Sequence, residues 1–259
     1  MDGAISKNNF PKATFRCYFQ KDEFQLCRKY QMTNQVPFSE PISFGTDNFA
    51  DNPEPRCPCL LLLDISGSMS GNPIRELNDG LKIFRDELMA DSLAAKRVEV
   101  AIVSFSPVSV VNDFQTADLF SPPNLTAQGD TPMGEAIERG LDLLSKRKET
   151  LRNNGIAFYR PWIFLITDGG PTDNWSNAAS RVKEGETKKA FAFFAVGVEG
   201  ARMDILSQMT TREPVKLKGL RFRDLFQWLS NSMKSVSHSK PGDTVPVRNP
   251  ATPQGWATV

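Results

Sequence analysis

Residues 60–72 read LLLLDISGSMSGN. Four consecutive leucines predict a strand that is buried on both faces, as in a parallel sheet covered by helices. A helix start follows at Asn72 and Pro73, because asparagine is a preferred N-cap and proline is favoured at the first helical position. The stretch therefore predicts a buried strand, a polar turn and a helix in direct succession.

The polar turn carries oxygen atoms that could bind a metal ion. Asp64 ends the predicted strand, and Ser66 and Ser68 follow at alternate positions. In open α/β sheets, ligands bind beyond the carboxyl ends of the strands. Carboxylate and hydroxyl oxygens are hard donors, and a site without sulfur or imidazole suits Mg²⁺ or Mn²⁺ better than zinc. The turn therefore predicts part of a Mg²⁺ or Mn²⁺ site.

The chain after the first strand alternates between helical and strand patterns. Apolar residues three and four apart predict helices at 73–90, 132–146, 175–190, 203–209 and 220–236. Apolar runs predict buried strands at 98–105, 162–167 and 191–198, with edge strands at 109–114 and 215–218. This alternation implies a mostly parallel sheet with helices on both faces, that is, a three-layered α/β fold.

Three parts of the chain differ in composition. Residues 1–52 contain nine phenylalanines and tyrosines without a sustained period, which predicts an ordered extension of short strands or turns or, alternatively, a partner-docking arm. Residues 53–238 form the predicted α/β domain. Residues 239–259 are rich in proline, threonine and glycine and predict a flexible tail.

Overall composition excludes several classes of function. A hydrophobic fraction of 40% and a charged fraction of 24% are typical of soluble globular proteins. A net charge of +1 gives no electrostatic reason to expect nucleic acid or a membrane as partner. Neither a signal-peptide pattern nor an apolar run of membrane-spanning length occurs. We therefore expect a cytoplasmic protein with reduced cysteines.

Histidine and cysteine positions argue against catalytic and zinc sites. The single histidine, His238, lies in the polar segment SVSHSK, away from every strong pattern, so a Ser-His-Asp or Cys-His arrangement is not expected. A zinc site that joins Cys57 and Cys59 to Cys17 and Cys27 is conceivable, but the C-x-C and C-x9-C spacings are unusual for zinc. Buried free thiols are the favoured alternative. The sequence contains no phosphate-binding G-x-x-x-x-G-K-[ST] motif, which argues against an NTPase.

Two further loops at the predicted carboxyl edge of the sheet carry oxygen donors. Thr131 lies in GDTPMGEAI, just before a predicted helix, and Asp168 directly follows the strand IFLIT. If the central strands are neighbours, both residues meet the turn at Asp64. Two carboxylates in a partly dry cleft repel each other, so such a site requires a cation or a shared proton. Because Mg²⁺ keeps waters where the protein supplies few charges, the site would keep an open position.

Each loop also has an interpretation that needs no metal. Asp64 and the serines could form a helix-entry turn through side-chain to backbone hydrogen bonds. Thr131 could be a helix N-cap, and Asp168 could be a turn residue before two glycines. Asp173, five residues further on, could support a metal site or lie on a loop surface. Together, the order of the three segments on matching elements favours the metal site.

The motif DISGS, the distant Thr131 and the TDG at Asp168 resemble the metal-ion-dependent adhesion site of von Willebrand factor type A domains. The resemblance covers about residues 55–236 and implies a three-layer α/β/α, Rossmann-like fold with a mostly parallel sheet. The segments LLLLDISGSMSGNPI, RVEVAIVSF, RPWIFLITDGGPTD and LFQWLSNSM more specifically resemble the bacterial TerY/YegL-type branch, which is linked to tellurium-resistance operons.

The resemblance also implies a metal-binding role for each matched residue. Ser66, Ser68 and Thr131 would bind Mg²⁺ or Mn²⁺ directly, while Asp64 and Asp168 would act mostly through bound water and balance the charge. In this family the open coordination position accepts a glutamate or aspartate carboxylate from another protein. The implied partner is therefore a protein that supplies an acidic side chain.

Asp130 departs from the family pattern, which often has glycine before the threonine. An additional carboxylate at this position could alter metal affinity or repel an acidic partner.

The implied function is a non-enzymatic, metal-dependent interaction module in a bacterial stress-response or signalling assembly, in the context of a kinase or phosphatase system. One alternative is a structural subunit of a larger complex. Another is a metal-dependent phosphotransferase or phosphatase that uses Asp64 as nucleophile. The haloacid-dehalogenase pattern disfavours this enzyme, because it requires aspartate where Ser66 stands.

Overall fold

The computed structural model describes Phe49 and residues 51–252 and 255–258. Predictions for residues 1–48, which include the extension or docking arm and the zinc alternative with Cys17 and Cys27, lie outside these described residues. None of the described helices combines the length and the hydrophobicity that a membrane crossing requires.

A seven-stranded sheet forms the centre of the domain, and it is mostly parallel, as the sequence predicted. The strands lie in the order β3-β2-β1-β4-β5-β6-β7, and only the two edge strands, β3 and β7, pair antiparallel to their neighbours. The strands span β1 Cys57–Asp64, β2 Val98–Phe105, β3 Ser109–Thr116, β4 Trp162–Thr167, β5 Ala192–Gly197, β6 Val215–Leu217 and β7 Ala257–Thr258.

Six helices connect these strands. They span α1 Asn72–Met89, α2 Ser92–Arg97, α3 Met133–Asn153, α4 Ser176–Thr187, α5 Met203–Met209 and α6 Phe222–Ser237. Helix α1 begins one residue earlier than predicted, because Gly71 with φ 84° is the N-cap and the side chain of Asn72 caps nothing. The short helix α2 was not predicted, and neither was the 3₁₀ turn at Gly67–Met69 that precedes α1.

The leucines of β1 separate two hydrophobic cores. Leu61 and Leu63 point to the core beneath α1 and α6, whereas Leu60 and Leu62 point to the core beneath α3, α4 and α5. All eight residues of β1 are buried. Side chains alternate between the faces of a strand, so a strand covered on both sides has to be apolar throughout. The three-layered α/β/α fold is therefore confirmed.

Cys57 and Cys59 are free and buried in β1, as the sequence favoured. Burial raises the pKa of both thiols above the ordinary range, because the thiolate loses its hydration. Both side chains pack in the core beneath α1 and α6. They therefore act as small apolar residues of the strand that leads to Asp64.

The C-terminal segment differs from the predicted flexible tail. Strand β7 pairs antiparallel with β6, through Leu217 with Ala257 and Lys216 with Thr258. Trp256 is buried, and its ring lies 5.7 Å from that of Trp228 on α6. The boundary predicted at residue 238 left this strand out, because two strand residues in a proline-rich segment give no periodic signal.

Glu186, in the last turn of α4, connects three elements of the domain. Its buried carboxylate accepts hydrogen bonds from the backbone N–H of Phe193 (3.1 Å), from that of Thr211 (3.1 Å) and from Nε of Arg212 (2.8 Å). Burial alone would raise the pKa of Glu186. The hydrogen bonds from Thr211, Phe193 and Arg212 outweigh burial and hold this pKa below its ordinary value.

We expect the stability contribution of Glu186 to depend on pH. A pKa that is lower in the folded than in the unfolded state gives stabilisation that is complete above about pH 4.3, the unfolded value, and is lost as the pH falls through the folded value. Glu186→Gln should therefore cost about 1–2 kcal/mol near pH 7, because hydrogen bonds to a charged group are lost. Thermal unfolding from pH 7 to 3 checks this, and a cost independent of pH would contradict it.

Candidate metal site

The pairing of β1 with β4 brings two of the predicted site residues to one edge of the sheet. Leu63 of β1 lies opposite Ile166 of β4 in parallel register. Asp64 is the last residue of β1, and Asp168 directly follows the last residue of β4. Residues 104 positions apart in the chain thus meet where the carboxyl ends of neighbouring strands meet.

The carboxylate of Asp64 is held in one orientation from two sides. Its Oδ1 accepts a hydrogen bond from the backbone N–H of Ser66 (2.8 Å), and its Oδ2 accepts one from the hydroxyl of Thr167 (2.5 Å). Asp64 is fully buried. Thr167 lies at the end of β4 and was not among the residues selected from the sequence, although it is the first letter of the TDG motif.

Hydroxyl groups connect the turn after β1 to the loop after β4. Ser66 Oγ and Ser68 Oγ are 2.9 Å apart, and Ser68 Oγ donates to Asp168 Oδ1 at 2.7 Å. The 3₁₀ turn folds the chain back here, since the N–H of Met69 donates to the carbonyl of Ser66 (3.0 Å). The two serines and Asp168 therefore form one continuous cluster.

Thr131 lies between the two loops. Its own loop is fixed to the turn after β1, because Gln128 N–H donates to Ile65 O (2.7 Å) and Gly67 N–H donates to Gly129 O (3.0 Å). On the other side, a Cβ placed on Gly169 would lie 3.5 Å from the Thr131 hydroxyl. All five residues selected from the sequence thus lie at the same edge of the sheet.

The alternative that Thr131 caps helix α3 does not fit the structure. Pro132 is the N-cap residue of α3, and the cap makes no side-chain hydrogen bond. Thr131 itself is buried, whereas the neighbouring Asp130 is exposed. The side chain of Thr131 therefore faces the cluster without a capping role, and the carboxylate of Asp130 is accessible beside it.

The two carboxylates of the cluster have unfavourable surroundings for their charges. Burial raises the pKa of Asp64, and the hydrogen bonds from Ser66 and Thr167 offset this only in part. Burial also raises the pKa of Asp168, and the nearby charge of Asp64 raises it further. Within residues 51–252, no lysine, arginine or histidine forms an ion pair with either carboxylate.

This donor set fits a divalent cation with a preference for oxygen. Two carboxylates that lack a cationic partner in the described part of the chain, together with three hydroxyl groups, match the hard ligands that Mg²⁺ and Mn²⁺ prefer. A positive ion would offset the repulsion that raises the pKa of Asp168. In the described part of the chain, no group of three or more histidine, cysteine, aspartate or glutamate side chains offers a different kind of metal site.

Asp173 lies neither in the cluster nor free on the surface. Its carboxylate accepts hydrogen bonds from the backbone N–H of Gly134 (3.0 Å) and of Glu135 (2.8 Å), in the first turn of α3. The sequence shows an acidic residue five positions after Asp168, but local spacing does not indicate which helix it contacts.

An α/β domain with this strand order and an oxygen-rich cluster at its carboxyl edge has counterparts among known proteins. Residues 60–223, more than half of the chain, match the family described as von Willebrand factor type A domain, and the chain belongs to that family. Domains of this family commonly mediate protein–protein interactions, often in a metal-dependent manner. No curated protein sequence matches the chain.

Several solved structures are similar to this chain. The vWF domain of the type V pili tip protein Mfa5 from Porphyromonas gingivalis has a TM-score of 0.54 at 10% identity, over 74% of this chain and 99% of that chain. The pilus adhesin SpaC from Lactobacillus rhamnosus GG, in an open conformation, has a TM-score of 0.54 at 15% identity, over 70% of this chain and 30% of that chain. Proximal thread matrix protein 1 from the mussel byssus has a TM-score of 0.48 at 15% identity, over 70% of this chain and 48% of that chain.

The chain spans about half the length of the mussel protein and less than a third of the adhesin. At these identities the similarity is one of fold.

Proposed function

We propose that the protein is a non-enzymatic interaction module that binds an acidic side chain of a partner protein through Mg²⁺ or Mn²⁺. Ser66, Ser68 and Thr131 would hold the ion directly, and Asp64 and Asp168 would balance its charge. When bound, the ion supplies an electron-accepting position for a glutamate or aspartate carboxylate of the partner. The observation that carries this proposal is the convergence of three distant loops on one cluster that has no cationic partner among the described residues.

The surroundings of the cluster prepare it for reversible recognition. Thr167 and the N–H of Ser66 orient the carboxylate of Asp64 before any ligand arrives. Ser68 is exposed, so the cluster opens to solvent on the side where a partner would approach. Because the groups are already oriented, little conformational entropy has to be lost when an ion and a partner bind.

The proposal assigns no catalytic role to Asp64. Ser66 occupies the second position after it, where aspartyl-phosphate enzymes of the haloacid-dehalogenase pattern carry an aspartate. His238 lies at the end of α6 and contacts Asp91 at 2.8 Å, near the amino end of β2. Asp64 lies at the opposite, carboxyl edge of the sheet, so this histidine cannot act as its general base.

The cellular setting of the proposal follows from the similarity of four sequence segments to the TerY/YegL-type branch. We propose a bacterial, cytoplasmic protein that acts in a stress-response or signalling assembly with a kinase or phosphatase system. Phosphorylation would then regulate the assembly rather than be carried out by this chain.

A pull-down from the native host with Mg²⁺ or with EDTA tests the proposed function. We expect partner recovery to fall at least about 10-fold in EDTA, because EDTA removes the ion that would bind the partner carboxylate. Mutations of groups that support metal ligands cause losses of similar size. Ser66→Ala should cause a similar loss in Mg²⁺. Ser232→Ala is the matched control, because its buried hydroxyl donates within α6, to Trp228 O (2.8 Å).

Equal recovery in Mg²⁺ and in EDTA would contradict metal-dependent recognition. That result would instead favour a structural subunit whose contacts lie elsewhere on the domain.

A further inference from the structure

We propose that Asp173 is a positioning residue for the metal site, because it holds the start of α3, and with it Thr131, against the loop that carries Asp168. This inference rests on the proposed function, since it concerns the ion that Thr131 would bind. Asp173 is separate from the cluster itself and makes no hydrogen bond to any of its five residues among the described contacts.

Helix α3 lacks a side-chain cap of its own. The first backbone N–H groups of a helix have no partner inside the helix, and a side chain at the N-cap usually satisfies them. Here the N-cap is Pro132, which has no acceptor in its side chain. Asp173, which lies 39 residues after Gly134, supplies both acceptor oxygens, to the N–H groups of Gly134 and Glu135.

The same loop also holds the backbone of Thr131. Thr172 N–H donates to the carbonyl of Thr131 at 2.9 Å, one residue before Asp173. Thr131 thus lies between two anchored points, its own carbonyl and the first turn of α3, and both anchors come from the loop after β4. A displacement of this loop would move the hydroxyl of Thr131 and the carboxylate of Asp168 together.

The contact between this loop and α3 is too close to admit a side chain. A Cβ placed on Gly134 would lie 2.6 Å from the carbonyl oxygen of Asn174 and 2.9 Å from Cα of Trp175. Both neighbours are backbone atoms, which cannot rotate away. The glycine therefore permits the approach that the two hydrogen bonds of Asp173 require.

An aspartate suits this position for electrostatic reasons. A carboxylate at a helix N-terminus is stabilised by the helix dipole, and its hydrogen bonds from N–H groups are charge-assisted. Because α3 starts two residues after Thr131, a fixed helix start limits the positions that the hydroxyl can adopt. Metal binding would then lose less conformational entropy, because the ligand is already oriented.

Calorimetric titration of the full chain with Mn²⁺ alone tests this role. Asp173→Ala should weaken Mn²⁺ binding by about 10- to 100-fold, which is typical for residues that support metal ligands from outside the site. Asp173→Asn, which keeps one acceptor oxygen, should weaken binding less.

Asp91→Ala is the matched control. Asp91 also caps a helix, through the N–H groups of Leu93 (3.1 Å) and Ala94 (2.9 Å) of α2, and α2 leads into the amino end of β2, away from the metal site. Both alanine variants should lower the melting temperature of the metal-free protein, since both remove a cap. Only the change at Asp173 should alter the Mn²⁺ dissociation constant.

Amide hydrogen exchange in the metal-free protein provides a second readout. Asp173→Ala should accelerate exchange at Gly134 and Glu135, whose N–H groups lose their acceptors, whereas Asp91→Ala should leave them unchanged. Unchanged exchange, or equal Mn²⁺ binding by wild type and Asp173→Ala, would overturn the positioning role alone. Absence of Mn²⁺ binding by the wild type would instead overturn the proposed function.

Discussion

Asp64→Asn is expected to abolish stabilisation of the protein by Mg²⁺ or Mn²⁺ without lowering the melting temperature of the metal-free form. The carboxylate of Asp64 is fully buried and lies near the carboxylate of Asp168, and neither has a cationic partner in the described part of the chain. Removing one charge removes the electrostatic reason for a divalent ion to bind. It also removes a repulsion that destabilises the metal-free cluster.

The asparagine can keep both hydrogen bonds that orient residue 64. Its amide oxygen would accept from the N–H of Ser66, as Asp64 Oδ1 does at 2.8 Å. Its amide nitrogen would donate to the hydroxyl of Thr167, which now donates to Asp64 Oδ2. A threonine hydroxyl can reverse in this way because it is both donor and acceptor. The variant therefore keeps a hydrogen bond on each side of residue 64.

Thermal unfolding with and without metal measures the expected difference. At a metal concentration 100 times the dissociation constant, one site stabilises the folded state by about 2.7 kcal/mol. For a domain of this size that raises the melting temperature of the wild type by roughly 5–10 °C. Asp64→Asn should show no rise.

The control for this experiment is Asp142→Asn. Asp142 is an exposed aspartate on α3 that pairs with Arg181, so its replacement should leave the metal response intact. A full metal response in Asp64→Asn would contradict the assigned site. A large loss of stability in EDTA would show that Asp64 acts mainly as a turn residue.

The fold could be predicted from sequence because its signals are local. Four leucines in β1 face two cores, so their uninterrupted run already indicated burial on both sides. The bounds predicted for β2, β4 and α5, and the predicted end of β1 at Asp64, agree with the structure. Strand order is not a local signal: the structure shows that β1 lies between β2 and β4. That Asp64 and Asp168 belong to one site was implied by the family resemblance.

Features that depend on distant partners were missed for the same reason. Thr167 orients Asp64 across neighbouring strands, and Asp173 caps a helix that begins 40 residues before it. Strand β7 exists because β6 offers it an edge, whereas its own sequence has neither length nor alternation. In each case the sequence shows the residue type, but the residue that it contacts is determined only when the sheet has folded.

Glu99→Gln is expected to cause the largest loss of stability among these variants. Glu99 is fully buried near the amino end of β2, between two buried arginines. Arg147 of α3 donates from Nε to Oε2 at 2.9 Å and from a terminal nitrogen to Oε1 at 2.5 Å. Arg56 Nε lies 3.0 Å from Oε1. The ring of Phe49 lies 5.6 and 5.4 Å from the two guanidinium groups.

Replacing Glu99 by glutamine removes the negative charge that pairs with both buried arginines. Breaking a buried ion pair by removing one partner typically costs about 3–5 kcal/mol, because the remaining charge loses both its partner and its hydration. For a domain of this size we expect the melting temperature to fall by roughly 6–20 °C. Asp142→Asn, which breaks the exposed pair with Arg181, should cost about 1 kcal/mol or less.

The metal response separates this cluster from the metal site. Glu99 is the second residue of β2 and lies at the amino edge of the sheet, whereas Asp64 ends β1 at the carboxyl edge. Glu99→Gln should therefore unfold at lower temperature and still gain the full Mn²⁺-dependent rise. A loss below 1 kcal/mol would contradict the assigned role of Glu99.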